Sequence, residues 1–362
     1  MRTFLLASTI LSLAATAVAQ GGISSDPRFV RGRALFDHAF HRSTGLGTPD
    51  FNADSCRACH QDPSLGGAGP LELNVSRFGQ DFDGTGPFVD LPGGQALSKL
   101  RPPYFVGREE YASQPADLFE QRQTPSLFGI GRLDSIADAT ITANEDPIDA
   151  NADGIFGVAR RINMNGTIEI GRYGWKAQIS ELRDFMHDAL AGEIGLTTPD
   201  EGRSQGLRSD ADDHVDPEIA TAQIDDLQFF VGNLPEPVRG GSTDPRVARG
   251  EQLFTATGCA KCHTPSLPGN NGPVRLYSNL LLHNIFGPGF RGMAEPGAGV
   301  GMYRTPPLWG IKDTAPYLHD GRAETLESAI ELHKGEAQGV RDAYTVLSPE
   351  DQQALVLFLR DL

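Results

Sequence analysis

The chain has 362 residues, with 47 Asp and Glu against 31 Lys and Arg, and a formal net charge of −16. So acidic a surface argues against nucleic acid and suits a neutral or basic partner. The length allows two compact domains, and 42 Gly with 25 Pro predict much loop and little sheet.

The opening stretch, MRTFLLASTILSLAATAVAQ, has a positive start at Arg2, an apolar run from Phe4 to Ala15 and a small-x-small site at Ala17-Val18-Ala19. It predicts a secretory signal peptide over residues 1–19, cut to leave Gln20 and sending the chain to the periplasm. The run falls short of the roughly 20 apolar residues that span a bilayer. No later stretch is longer, so the chain is expected not to span a membrane. An amphipathic helix follows over Asp26 to Phe36, and then DSCRACHQDP, which holds Cys56, Cys59 and His60.

All four cysteines fall in two Cys-x-x-Cys-His motifs, Cys56/Cys59/His60 and Cys259/Cys262/His263. Two disulfides or a redox Cys-x-x-Cys pair would not require a histidine after each motif, whereas haem attachment does. Cysteines three apart lie on one helical turn, where their sulfurs reach the two vinyl groups of one porphyrin. The next residue then becomes the proximal iron ligand. Two covalently bound c-type haems are therefore expected, with His60 and His263 on the irons.

The chain also repeats itself. DPRFVRGRALF (Asp26 to Phe36) returns as DPRVARGEQLF (Asp244 to Phe254), Cys56 returns as Cys259, and QTPSLFGI (Gln123 to Ile130) returns as RTPPLWGI (Arg304 to Ile311). One ancestral unit has been duplicated, and the first copy is longer on both sides of its haem motif. From about Asp134 to Pro235 the first copy has no counterpart. That stretch carries two helix candidates, AQISELRDFMHDAL and EIATAQIDDLQFFVGNL. It also carries DANADG, where Asp149, Asn151 and Asp153 alternate before Gly154 as in the first half of a calcium loop. Arg160 stands where such a loop has its Glu, and an Asx-rich turn accounts for the pattern as well. PEPVRGGSTDP (Pro235 to Pro245) reads as a linker, and SPEDQQALVLFLRDL as a capped helix from Ser348.

These segments make the chain similar to the di-haem cytochrome c peroxidase and MauG superfamily. Within it, the chain most resembles the di-haem oxidoreductase branch, also labelled thiol oxidoreductase or peroxidase. The resemblance is carried by STGLGTPDFNADSCRACH, TPSLFGIGRLDSIADA, DANADGIFG, GRYGWKA, YSNLLLHNIFGPG and RTPPLWGIKDTAPYLHDGRAETLESAIELHKGEA, which cover nearly the whole chain after residue 19. It implies a distal Met on the C-terminal haem just before the Thr-Pro turn, which is Met302, unless that residue is core filling. His283 is the rival ligand or a hydrogen-bonded neighbour.

Within the repeat, Met302 corresponds to Gln121, a poor iron ligand, so the N-terminal haem is expected to be the open, reactive one. His38 and His41, upstream of the same haem, are surface residues or closing ligands. The resemblance makes Asp134 the candidate acid/base, with Gln121 and Arg122 as donors to a departing oxygen. The chain departs from the peroxidases proper here, since LDSIADA replaces their Phe-Trp-Asp-Gly region. Trp175 is either an inter-haem relay or a packing residue. Related peroxidases hold calcium between their domains, which keeps Ca²⁺ open for Asp149, Asn151 and Asp153. His319-Asp320-Gly321 matches a family segment near the C-terminal haem.

The expected fold is mainly α: two cytochrome c-like haem domains in tandem, over 20–234 and 246–362, joined by linker 235–245, with a long insertion in the first. The expected function is that of an exported di-haem oxidoreductase of peroxidase type. Electrons from a small redox protein enter at the C-terminal haem and cross to the N-terminal one, which reduces a peroxide-type small substrate. The alternatives are a di-haem electron carrier whose protein partner is donor or acceptor, and MauG-like oxidation of a protein partner.

Overall fold

The computed structural model describes residues 23–45, 52–71, 75–81, 116–203, 205–210, 212 and 214–362. The signal peptide expected over 1–19 lies outside them. In chain order the elements are α1 (Pro27–Asp37), α2 (Cys56–Cys59), β1 (Val75–Gly79), β2 (Leu118–Arg122), α3 (Asp138–Thr142), β3 (Arg161–Met164), β4 (Thr167–Ile170), α4 (Leu182–Ala189), α5 (Thr221–Gly232), α6 (Pro245–Ala256), β5 (Leu282–Asn284), β6 (Met302–Arg304), α7 (Leu326–Glu331), α8 (Gln338–Thr345) and α9 (Pro349–Leu359).

The duplication is visible in how helices start and where they pack. Asp26 caps α1 by accepting from the Arg28 N–H, and Asp244 caps α6 by accepting from the Arg246 N–H, each with Pro in the first turn. α1 packs on α5, and α6 packs on α9. Both crossings need a glycine. A Cβ on Gly32 would sit 2.0 Å from the Asp226 carbonyl oxygen, and one on Gly250 would sit 2.0 Å from that of Ala354. The helix in EIATAQIDDLQFFVGNL, expected to lack a counterpart, is therefore the partner of the C-terminal helix: Leu227, Phe230 and Leu234 stand where Leu355, Phe358 and Leu362 stand. The unpaired stretch is shorter than expected.

Two apolar cores result. One gathers Phe36, Leu127, Ile179, Ile224 and Phe230, with Cys56 packed against it. The other gathers Val247, Leu253, Phe254, Leu326 and Phe358, with Cys259 packed against it. The first core also takes in Leu276, Leu280, Leu281 and Trp309 from the second copy, so the copies share an interface. Residues 235–245 fold back on the C-terminus, where Arg239 pairs with Asp361 at 2.7 Å.

The mainly helical expectation is met only in part. Helical residues are a minority of the described chain, and the rest is loop plus three two-stranded antiparallel sheets, β1–β2, β3–β4 and β5–β6. The many Gly and Pro residues favour such short pairs and turns over long helices. Among the described residues, no helix is long and apolar enough to cross a membrane.

Candidate haem sites

Each motif ends in a histidine prepared to bind metal. In the first, Ser55 caps α2 through the Ala58 N–H at 3.2 Å, which sets Cys56 and Cys59 on one turn. The His60 ring donates from Nδ1 to the Gly67 carbonyl at 3.1 Å, and the His263 ring donates to the Tyr277 carbonyl at 3.0 Å. That bond fixes the tautomer and leaves Nε2 as the lone-pair nitrogen. Phe36 lies 6.3 Å from the His60 ring and Phe254 lies 6.4 Å from that of His263, both at 53°. Burial holds the two imidazoles down to about 4 and about 3, so both are neutral near pH 7. The cysteines are not activated thiolates: burial pushes Cys56 up to about 12 and also raises Cys259. A redox Cys-x-x-Cys pair shows the opposite shift. The donor set therefore fits a haem at both places.

The surroundings of the two proximal histidines differ. His263 is influenced by two other imidazoles, those of His333 and His283. His333 donates from Nδ1 to the Ala329 carbonyl at 2.7 Å, the same device that orients His60 and His263. His283, 2% exposed, has both ring nitrogens engaged. Nδ1 meets Glu336 at 3.0 Å and Nε2 meets the Asn279 amide nitrogen at 3.0 Å. Met302 packs against Ala177, Leu282 and Ala298, and its carbonyl accepts from the buried Lys176 ammonium at 3.0 Å. Sequence reasoning passed over His333, because it lies in no spaced motif. The available signal was its place at the end of the apolar helix in LESAIELH.

Around the first motif no second imidazole acts on His60. His38 and His41 are exposed. What approaches instead is acidic. A π-helical turn over Leu190–Ile194, of a kind frequent at functional sites, carries Glu193. Asn52, four residues before Cys56, donates from its side chain to the Glu193 carboxylate at 2.8 Å. Its own N–H and that of Ala53 reach the Glu193 carbonyl. Burial pushes nearby Asp188 up to about 6, and the charge of Glu193 adds to the rise. These two acids were missed because the turn that presents them has no readable sequence pattern.

The expected catalytic trio is not gathered in one place. β2 alternates, so Gln121 is exposed while Arg122 points inward. Arg122 is bound by Glu120 at 2.8 Å and by Glu295 at 2.6 Å. Glu295 also receives Arg77 at 2.7 Å and Arg160 at 2.9 Å, and this ring of cations holds its carboxyl far below the ordinary range despite burial. Asp134 lies elsewhere, accepting from the Tyr173 hydroxyl at 2.7 Å and the Leu182 N–H at 3.3 Å. Burial outweighs those bonds and raises its carboxyl.

A family model described as "Di-haem oxidoreductase, putative peroxidase" matches residues 114–362. The chain belongs to the di-haem oxidoreductase family. The matched range begins after Cys56–His60 and includes the second motif. The chain is 31% identical over 121 residues to cytochrome c551 peroxidase of Nitrosomonas europaea, covering 31% of this chain and 33% of that protein. It is 41% identical over 64 residues to the cytochrome-c peroxidase IdrP2 of Pseudomonas sp. strain SCT, 17% of each. The di-haem oxidoreductase thus spans a third or less of the length of these curated relatives. Among solved structures, hydrazine synthase of Kuenenia stuttgartiensis aligns at 17% identity and a TM-score of 0.47, over 93% of this chain and 88% of that one.

Two further expected sites of this di-haem oxidoreductase have clear surroundings. Trp175 sits between the two Thr-Pro turns. Its indole donates to the Gln123 carbonyl at 2.8 Å, and its own carbonyl accepts from the Arg304 N–H at 2.8 Å. It is also 6.5 Å from the ring of His319, which stacks on Tyr303 at 3.8 Å. The DANADG segment closes on itself: Asp149 accepts from the Asp153 and Gly154 N–H groups, Asn151 from the Asp153 N–H, and Asp153 pairs with Lys261 at 3.0 Å.

Proposed function

We propose that this di-haem oxidoreductase is an exported enzyme of peroxidase type, with two cytochrome c-like units over 20–234 and 246–362 joined by 235–245. Covalent haems on Cys56/Cys59/His60 and Cys259/Cys262/His263 supply electron transfer and, at an open axial position, reduction of a peroxide-type small oxidant. Export rests on the leader-like residues 1–19. A small redox protein is the electron partner, entering on the His263 side.

One observation carries this reading. All nine histidines, and every methionine after Met1, lie among the described residues, yet imidazoles gather only around His263. His187 has both nitrogens engaged, by Thr198 at 2.9 Å and by Glu201 at 3.2 Å. A haem held by His60 would therefore have no second imidazole acting beside its proximal ligand. His333 would be the second ligand of a haem on His263 in preference to Met302 or His283, because its Nδ1 bond leaves Nε2 uncommitted by any hydrogen bond described above.

On the His60 side, Glu193 and Asp188 can hold and deliver the protons that splitting an O–O bond requires. Asn52 fixes the Glu193 carboxylate in place. Asp134, bonded to Tyr173, is the secondary candidate. Trp175, bonded to both Thr-Pro turns, is positioned to relay electrons between the two halves. The test is a stopped-flow peroxide titration of the fully reduced holoprotein. One equivalent of hydrogen peroxide should remove two electrons, one from each haem. Haems that stay reduced, or that oxidise no faster than free haem, would sink the reading.

A further inference from the structure

Among the described residues, four arginines are less than a tenth exposed: Arg122, Arg160, Arg172 and Arg304. The first three each pair with a carboxylate, on Glu295, Glu295 and Asp138. Arg304, 6% exposed, does not pair with any carboxylate among the described residues. Its Nε donates to the Gly174 carbonyl at 3.0 Å and one terminal nitrogen reaches the Thr305 carbonyl at 3.4 Å. Burial pulls the guanidinium down to about 10. A cation taken out of water without an anion is strongly disfavoured, so this side chain requires a negative group that the described residues do not supply.

Its position indicates which group. Thr305, the next residue, donates its N–H to the Leu281 carbonyl and accepts from the Ser278 hydroxyl at 2.6 Å. Residues 277–281 form the loop whose Tyr277 carbonyl orients His263 and whose Asn279 N–H bonds the Cys262 carbonyl. Arg304 therefore stands against the second haem motif, and its backbone N–H holds Trp175. In the first copy the equivalent residue is Gln123, 3% exposed, whose amide nitrogen bonds the Gly69 carbonyl and whose Oε1 is buried without a partner. We infer that Arg304 binds a propionate carboxylate of the C-terminal haem at the Trp175 interface, while the neutral Gln123 occupies the matching place beside the N-terminal haem. A cation beside a haem favours its ferrous form, which carries one positive charge less. Arg in place of Gln therefore raises the potential of the C-terminal haem above what a neutral residue there would give.

The inference rests on the two haem sites and not on the peroxidase reading, and its test uses no substrate. Arg304→Gln in the holoprotein should lower the midpoint potential of the low-spin C-terminal haem in a spectroelectrochemical titration, leave that of the other haem in place, and shift the propionate bending mode in resonance Raman. Arg304→Lys should retain most of the potential. If Arg304→Gln fails to load haem, the lysine variant is decisive: a moved propionate band with a nearly native potential supports the inference, and an unmoved band overturns it. A C-terminal midpoint that Arg304→Gln leaves unchanged also overturns it, as does a shift confined to the N-terminal haem.

Discussion

His263 and His333 are oriented by the same bond, an Nδ1–H donated to a backbone carbonyl, at 3.0 Å to Tyr277 and at 2.7 Å to Ala329. Each keeps Nε2 as the lone-pair nitrogen, and the His333 imidazole acts electrostatically on His263. His333→Ala should therefore turn the C-terminal haem from low spin to high spin, seen in the electronic and EPR spectra. Met302→Ala and His283→Ala should leave it low spin. A spin change in Met302→Ala alone would return the ligand to methionine.

Asp188 gives the account a pH signature. Its carboxyl is raised to about 6 in the fold, first by burial and then by Glu193, against an ordinary value near 3.9. An acid raised in the folded state binds its proton more tightly there than in the unfolded chain, so stability falls as pH climbs from about 4 to about 6. Asp188→Asn should flatten that slope, by at most about 3 kcal/mol, in denaturant melts across the range. The peroxide rate should bend near pH 6 in the wild type, and Glu193→Gln should slow it by about 10²- to 10⁴-fold. A Glu193→Gln variant with native rates would remove these acids from the mechanism.

Glu295 neutralises three arginines within a buried network. Glu295→Ala should cost about 3–5 kcal/mol, because three buried cations lose a shared partner. Arg31→Ala, which breaks a half-exposed pair with Asp226, should cost under about 1 kcal/mol. Chemical denaturation of the holoprotein distinguishes the two.

The duplicated helix crossings should fail in parallel. Gly32→Ala and Gly250→Ala each place a methyl 2.0 Å from a carbonyl oxygen of the facing helix. Each should destabilise its half by about 1–3 kcal/mol or more, read as a drop in Tm. A tolerated alanine at either position would contradict the close packing of that pair.

Much of this was legible in the sequence. The two Cys-x-x-Cys-His motifs follow from spacing that haem attachment makes obligatory, and the α1–α6 correspondence follows from DPRFVRGRALF returning as DPRVARGEQLF. The α5–α9 correspondence was hidden because the stretch before α5 has grown and only Leu227, Phe230 and Leu234 keep their places. Gln121, from its match to Met302 in the repeat, and Arg122 are expected to act together as donors, yet a strand sends neighbours to opposite faces, and only the fold says which face meets what. Asp188, Glu193 and His333 had no motif to announce them. Their roles come from a π turn and from a helix end, which put residues distant along the chain beside each motif.

The central claim is that His60 holds an open haem and His263 a closed one. Cyanide titration of the resting ferric holoprotein, followed by EPR in the wild type and in His333→Ala, tests it directly. The account predicts one cyanide-binding high-spin haem in the wild type and two in His333→Ala. Two low-spin haems that refuse cyanide in the wild type, or a wild-type cyanide site that the His333→Ala substitution alters, would contradict it.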